Sequence, residues 1–304
     1  MKKNVSISLL VIAILLSVAS SALSGATADD MRSFLIRNIP LRPALSLSGS
    51  QFVRSILGLD AGQREQAIRR QLILGNLPDF LRELKAVRFS RRSPDGRRSQ
   101  LTLFAMPDYL AIGSNDDFLL IPMTLTSALE IADRYGFTLP SRKIVDVIFG
   151  QSPFHLKPQP LPAGPRMSST AYYQRHNDMI SRQRLALCCP PGELIAGHKK
   201  DIVMSSRLFG RAGKIAIYGW HKPSGRPIQP LTTVHGKNYT DYSHGVRLIG
   251  ETVILDGEPR SLYEIIENRE LASLVSDEGP LAHARRFMTG AGPDRSEPST
   301  GRAP

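Results

Sequence analysis

Seven histidines occur in the chain, at 155, 176, 198, 221, 235, 244 and 283, and four of them fall between His198 and His244. Asp201 and Asp241 lie in the same window, and Ser243 precedes His244. The local strings are Gly197-His198-Lys199-Lys200-Asp201, Tyr218-Gly219-Trp220-His221, Val234-His235-Gly236 and Asp241-Tyr242-Ser243-His244-Gly245. Imidazole titrates near neutral pH and also ligates metals, so this density of groups points to a site. Two chemistries fit. In the first, two or three of His198, His221, His235 and His244, with Asp201 or Asp241, hold a divalent metal whose open position activates water. In the second, a histidine is the general base for water or for Ser243, and Asp241 or Asp201 orients it. Ser243 and His244 are neighbours that face opposite ways on an extended strand, so Ser243 needs His235 or His221 as its base. The structural alternative has each histidine tying its own loop to a sheet, with Tyr218, Trp220 and Tyr242 in the core.

Familiar catalytic patterns are missing. There is no HExxH, H-x-H, GxSxG or SxxK, and Gly213-Lys214 lacks the surroundings of a phosphate loop. Asn115-Asp116-Asp117 has too few alternating oxygen ligands for a calcium loop and reads as a solvated turn. Cys188 and Cys189 cannot easily bridge each other, and Pro190-Pro191 denies them the helix N-terminus that activates a thiol. Lys199 and Lys200 would hold an anion beside His198, or protect an exposed strand edge. Arg91, Arg92, Arg97 and Arg98 make a basic patch at a hairpin tip, and Asn238-Tyr239-Thr240 fits a glycosylation sequon.

These groups can meet only if loops at strand ends bring them together. Residues 29–60 read as an irregular lead-in with a short helix near Phe52–Leu57. Arg64–Leu74 has a helical apolar face ended by Gly75, and Pro78–Leu84 forms a second short helix. Ala86–Ser90 and Gln100–Ala105 alternate as strands joined by Ser93-Pro94-Asp95-Gly96. Tyr109–Ile112 and Phe118–Ile121 make another strand pair. Thr124 caps a helix to Tyr135 closed by Gly136, and Ser141 caps Lys143–Phe149 closed by Gly150. Five prolines between 153 and 165 mark a connector over 151–167. Ser168–Leu187 is helical. Ile202–Met204, Lys214–Tyr218, Ile228–Thr233, Val246–Ile249 and Val253–Leu255 are short strands, and Ser261-Leu262-Tyr263-Glu264 opens a last helix as a capping box. The fold class is therefore α+β: a helical and hairpin unit at 61–150, then a helix plus β-rich unit at 168–289, with a disordered tail at 290–304.

Length and composition agree with a folded chain. An apolar fraction of 41% over 304 residues is enough for a core, and two cysteines exclude a disulfide-dense scaffold. Lys2-Lys3, the apolar Val5–Val18 and Ala26-Thr27-Ala28 form the three parts of a signal peptide over 1–28. No later segment reaches spanning length, so the expectation is a secreted or periplasmic protein with no transmembrane segment after cleavage. The 39 Lys plus Arg exceed the 27 Asp plus Glu, a net charge of +12. Export directs that charge away from nucleic acid and toward anionic envelope polymers or an extracellular substrate.

The strings Pro107–Ser114 (PDYLAIGS), Leu139–Lys143 (LPSRK), His198–Val203 (HKKDIV), Ile215–His221 (IAIYGWH) and Asp241–Arg247 (DYSHGVR) resemble a group of predicted secreted bacterial proteins over about residues 60 to 255. The resemblance implies a bacterial exported protein and no particular activity. The prolines after Cys188 and Cys189 depart from the cysteine peptidases of cell walls, whose catalytic residues do not carry over. The expected function is hydrolysis of an envelope or extracellular polymer, with His198, Asp201, His221, His235, Asp241 and His244 as acid/base groups or metal ligands and Ser243 as nucleophile. The alternative is a non-catalytic protein that docks on anionic envelope material.

Overall fold

The computed structural model describes residues 27–92, 95–211 and 213–288. Residues 1–26 of the expected signal peptide over 1–28, the tail at 290–304 and Ser93-Pro94 of the hairpin turn lie outside the described residues, whereas Thr27 and Ala28 are described.

Capping decides where the first helices begin. Thr27, Ser48 and Asp60 each accept a hydrogen bond from the third helical residue, and that residue reaches back to the cap. The helices are Ala28–Ile36, Gly49–Ile56 and Ala61–Ile73. Residues 29–60, expected to be irregular, thus carry most of two helices, because Ser48 is a cap and not merely a loop residue. Met31, Leu35, Phe52, Val53 and Ile56 are buried on their inner faces. Pro78 starts a short 3-10 turn at Asp79–Arg82.

Lys85–Arg92 and Arg98–Ala105 pair antiparallel along their whole length. The second of these strands also pairs with Ile249–Gly250 and Thr252–Leu255, so residues on both sides of the proline-rich stretch share one six-stranded sheet. Glu258–Ser261, which the sequence reading omitted, forms a hairpin with Thr252–Leu255. Leu125–Tyr135 is capped by Thr124 and ends at Gly136, and Arg142–Gln151 is capped by Ser141 and runs past Gly150. Proline density did not abolish pairing in the connector, where Phe154–His155 lies parallel to Ile195–Ala196. Thr170–Ala186 is the longest helix described, capped by Ser169.

A second sheet carries most of the histidine strings. Its order is Pro227–Thr232, Ile217–His221, Lys200–Ile202, His244–Gly245. The expected strand at Lys214–Tyr218 is displaced to Ile217–His221, and Val246–Ile249 is replaced by His244–Gly245 and Ile249–Gly250. The fold is α+β, with helices mostly early and strands mostly late. One apolar cluster runs from Met31 to Ala284, and a smaller one joins Val145, Val203, Leu208, Ala216, Tyr218 and Leu231. Among the described residues no helix is long and apolar enough to cross a membrane.

Candidate functional site

Strand Lys200–Ile202 is central to the arrangement. It runs antiparallel to Ile217–His221 and parallel to His244–Gly245, which sets Lys200 beside Gly219 and His244, and Asp201 beside Tyr218 and Gly245. Successive side chains on a strand alternate between faces. The seven residues singled out from sequence consequently divide into three groups.

His198 belongs to an interior ion network. Its Nε2 lies 3.0 Å from Asp108 Oδ1, and Asp108 also pairs with Arg184. His198 and Asp108 are almost wholly buried. Burial, then the charges of Arg184, Arg247 and Lys199, hold the His198 imidazole well below its usual range, so it stays neutral. It is a fastener between Thr170–Ala186 and the sheet.

Asp201 and His221 form the second group. Tyr109 Oη donates to Asp201 Oδ2 at 2.9 Å, and the Arg247 guanidinium lies 4.5 Å from the Tyr109 ring centre. Arg247 is itself buried and donates to the carbonyls of Met106 and Ile195. Burial raises Asp201 to about 6, against the charge of Arg247. His221 Nε2 lies 2.9 Å from Asp146 Oδ1, which also accepts from Tyr218 Oη at 2.8 Å. Its ring stacks on Phe149, and Phe149 stacks on His155. Between the two halves sits Gly219, with φ +106°. A Cβ there would meet Asp201 Oδ2 at 3.4 Å and His221 Nδ1 at 3.5 Å, ordinary contact distances, so it is the positive φ and not lack of space that favours glycine. Trp220 follows with φ +56°, a strained value for a bulky residue.

Asp241, Ser243, His244 and His235 gather in the third group. Asp241 Oδ1 accepts from the backbone N–H of Ser243 at 2.7 Å and from Ser243 Oγ at 2.5 Å. Asp241 Oδ2 accepts from Tyr239 Oη at 3.1 Å and lies 3.7 Å from His244 Nε2. The Ser243 hydroxyl is fully buried and donates to this carboxylate, an arrangement that fixes a turn and leaves it poorly placed as a nucleophile. The His235 ring stacks on Tyr239 at 4.1 Å, and its centre is 6.3 Å from that of His244. His235, Tyr239 and Lys200 are half-buried, whereas Asp241 and His244 lie beneath them.

Electrostatics give these groups different roles. Burial pushes the His244 imidazole down to about 4, with Asp241 opposing and Lys200 reinforcing. Burial alone would raise Asp241, but His244, Ser243 and Lys200 together hold its carboxylate below the usual range. His235 is lowered by burial, opposed by Asp241 and assisted by Lys200 and Lys214. At neutral pH the group therefore has a buried ionised carboxylate, a buried neutral imidazole at His244 and a half-exposed neutral imidazole at His235. Lys199 is not on an exposed edge: it is buried, its ammonium donates to the Tyr242 carbonyl at 2.6 Å, and burial lowers it to about 7.

Among the described residues no three His, Cys, Asp or Glu side chains are placed to hold a metal ion. Cys188 and Cys189 are free thiols, and burial raises the Cys189 thiol instead of activating it. Sequence reasoning missed Asp108, Tyr109, Asp146, Arg184, Tyr239 and Arg247. Asp108, Tyr109 and Arg247 lie inside the strings that carried the family resemblance, and Asp146 is the lone acid of its helix. Arg184 has no such signal. No family model, curated protein or solved structure matches the chain.

Proposed function

We propose that the protein is an exported hydrolase of an anionic envelope or extracellular polymer, with His235 as its acid/base group. One observation carries this reading: His235 is a half-exposed imidazole whose ring makes no hydrogen bond to any described residue, with the buried His244 ring centre 6.3 Å away and the Asp241 carboxylate near enough to act on its charge. Asp241 and His244 act as positioning residues. The carboxylate supports positive charge as it develops on His235, and Tyr239 keeps the ring in place by stacking.

The step needs no further component. A neutral His235 nitrogen takes a proton from water as the water oxygen bonds to the electrophilic carbon or phosphorus of the substrate. The bond from that atom to its leaving group breaks, and the leaving atom takes the proton from His235. Lys200 and Lys214 supply positive charge where an oxyanion forms.

The test incubates purified full-length mature chain with isolated envelope material and with soluble anionic polymers, and follows release of reducing ends, amines and phosphate. The wild type should release one of these, and H235N should do so about 10²–10⁴ times more slowly while unfolding at the same denaturant concentration. Equal rates in the two proteins, or no product from any polymer class, would reject the reading. A groove lined by Arg207, Arg211 and Lys214 that reaches Val234 favours the second reading, a binding protein without catalysis. That reading predicts retention on the polymer, weakened by salt, with no product.

A further inference from the structure

An open groove of about 820 Å³ has a lining that includes Arg207, Arg211, Lys214, Thr232 and Thr233 and reaches Val234, the residue before His235. No aspartate or glutamate lines it. Each of its three cations is tethered to one short stretch of chain. Arg207 Nη1 donates to the Leu231 carbonyl at 2.9 Å, Arg211 Nη1 to Thr233 Oγ1 at 3.0 Å, and Lys214 Nζ to the Val234 carbonyl at 2.8 Å. The Glu278 carboxylate, which touches the groove residue Ser206, accepts from Ser205 and Ser206. The positive charges are therefore tethered along residues 231–234, which His235 follows in the chain. At about 3.3 Å per residue, the stretch from 231 to 235 spans roughly 13 Å, room for more than one charged group of a chain.

We propose that this groove seats an extended polyanion without bases, its charges supplied by phosphate diesters or sugar carboxylates, and that it leads that chain to His235. The tethers hold the cationic heads in place, so less side-chain freedom is lost when an anion binds. Protein grooves for single-stranded nucleic acid provide aromatic platforms for successive bases. Here the only aromatic in the lining is Phe209, so the groove reads charge and not bases. The inference rests on the hydrolase reading for its destination, but its binding claim is separable from catalysis.

Binding is measured by calorimetry at several salt concentrations with four probes: poly(glycerol phosphate), polygalacturonate, polyglutamate and oligothymidylate. Poly(glycerol phosphate) or polygalacturonate should bind, with affinity falling as salt rises, and the tighter of the two identifies the charge source. The double variant R211E/K214E should bind at least tenfold more weakly, while H235N binds within twofold of wild type. Equal binding by oligothymidylate or polyglutamate would overturn the proposal, as would unchanged affinity in the double variant. Intact binding with no hydrolysis would leave the groove standing and remove the hydrolase reading. Hydrolysis of another polymer without groove-dependent binding would do the reverse.

Discussion

Lowering the pH should unfold this protein through imidazoles that it buries uncharged, and His176 isolates the effect. His176 is fully buried, 5.0 Å from the Tyr242 ring centre and 6.2 Å from that of Trp220, and neither ring nitrogen has a hydrogen-bond partner among the described residues. Burial, then the charges of Lys199 and His198, holds it far below its ordinary 6.5. The unfolded chain therefore binds a proton below pH 6.5 that the folded chain refuses, and stability is lost as pH falls. The slope approaches 1.36 kcal/mol per pH unit, so two units, from 6.5 to 4.5, cost about 2.7 kcal/mol for this residue alone. His198 adds to the loss. The fall from His244 is largely offset by Asp201, whose folded value near 6 favours the native state at low pH. H176F keeps a flat ring in an aromatic setting and removes the proton. Urea unfolding of wild type and H176F at pH 7.5 and 4.5 should show the variant losing about 2.7 kcal/mol less. Equal losses in the two proteins would refute the reasoning.

Other substitutions test the packing around the site. D108A leaves Arg184 buried without its ion pair and His198 without its carboxylate, and should cost about 3–5 kcal/mol in urea unfolding at pH 7.5. G245A would set a Cβ 2.6 Å from Tyr109 Cδ1 and 2.8 Å from Lys199 Cβ; the expected loss is about 1–3 kcal/mol. Lys199, lowered from 10.5 to about 7, binds its proton more weakly when folded, so its cost is fully present below pH 7 and fades as pH rises toward 10.5. K199M should therefore raise stability at pH 6 by about 2 kcal/mol, after the unmet Tyr242 carbonyl is counted, and by less at pH 10.

Local signals were legible in the sequence and long-range partners were not. Thr124, Ser141 and Gly136 announced their helix ends because a cap acts within one turn. The Asp241–Ser243–His244 turn is equally local, with bonds that span two or three residues, yet Ser243 and His244 read as neighbours on an extended strand and the turn went unread. His198, Asp201 and His221 take their partners from residues 90, 92 and 75 positions away, and spacing carries no record of such contacts. The strand displaced to Ile217–His221 escaped because the Gly219-Trp220 pair breaks the alternation that marks a strand. Lys199 read as an anion holder or an edge residue, and Arg247 drew no reading beyond its place in a string, yet both lie inside and donate to backbone carbonyls.

The most direct measurement is the pH dependence of polymer hydrolysis by wild type and H235N between pH 4 and 9. Burial places the His235 imidazole below 6.5, so the wild-type rate should fall on the acid side with a midpoint under that value, and H235N should show neither the fall nor the rate. An H235N profile that overlays wild type in height and shape would contradict the assignment.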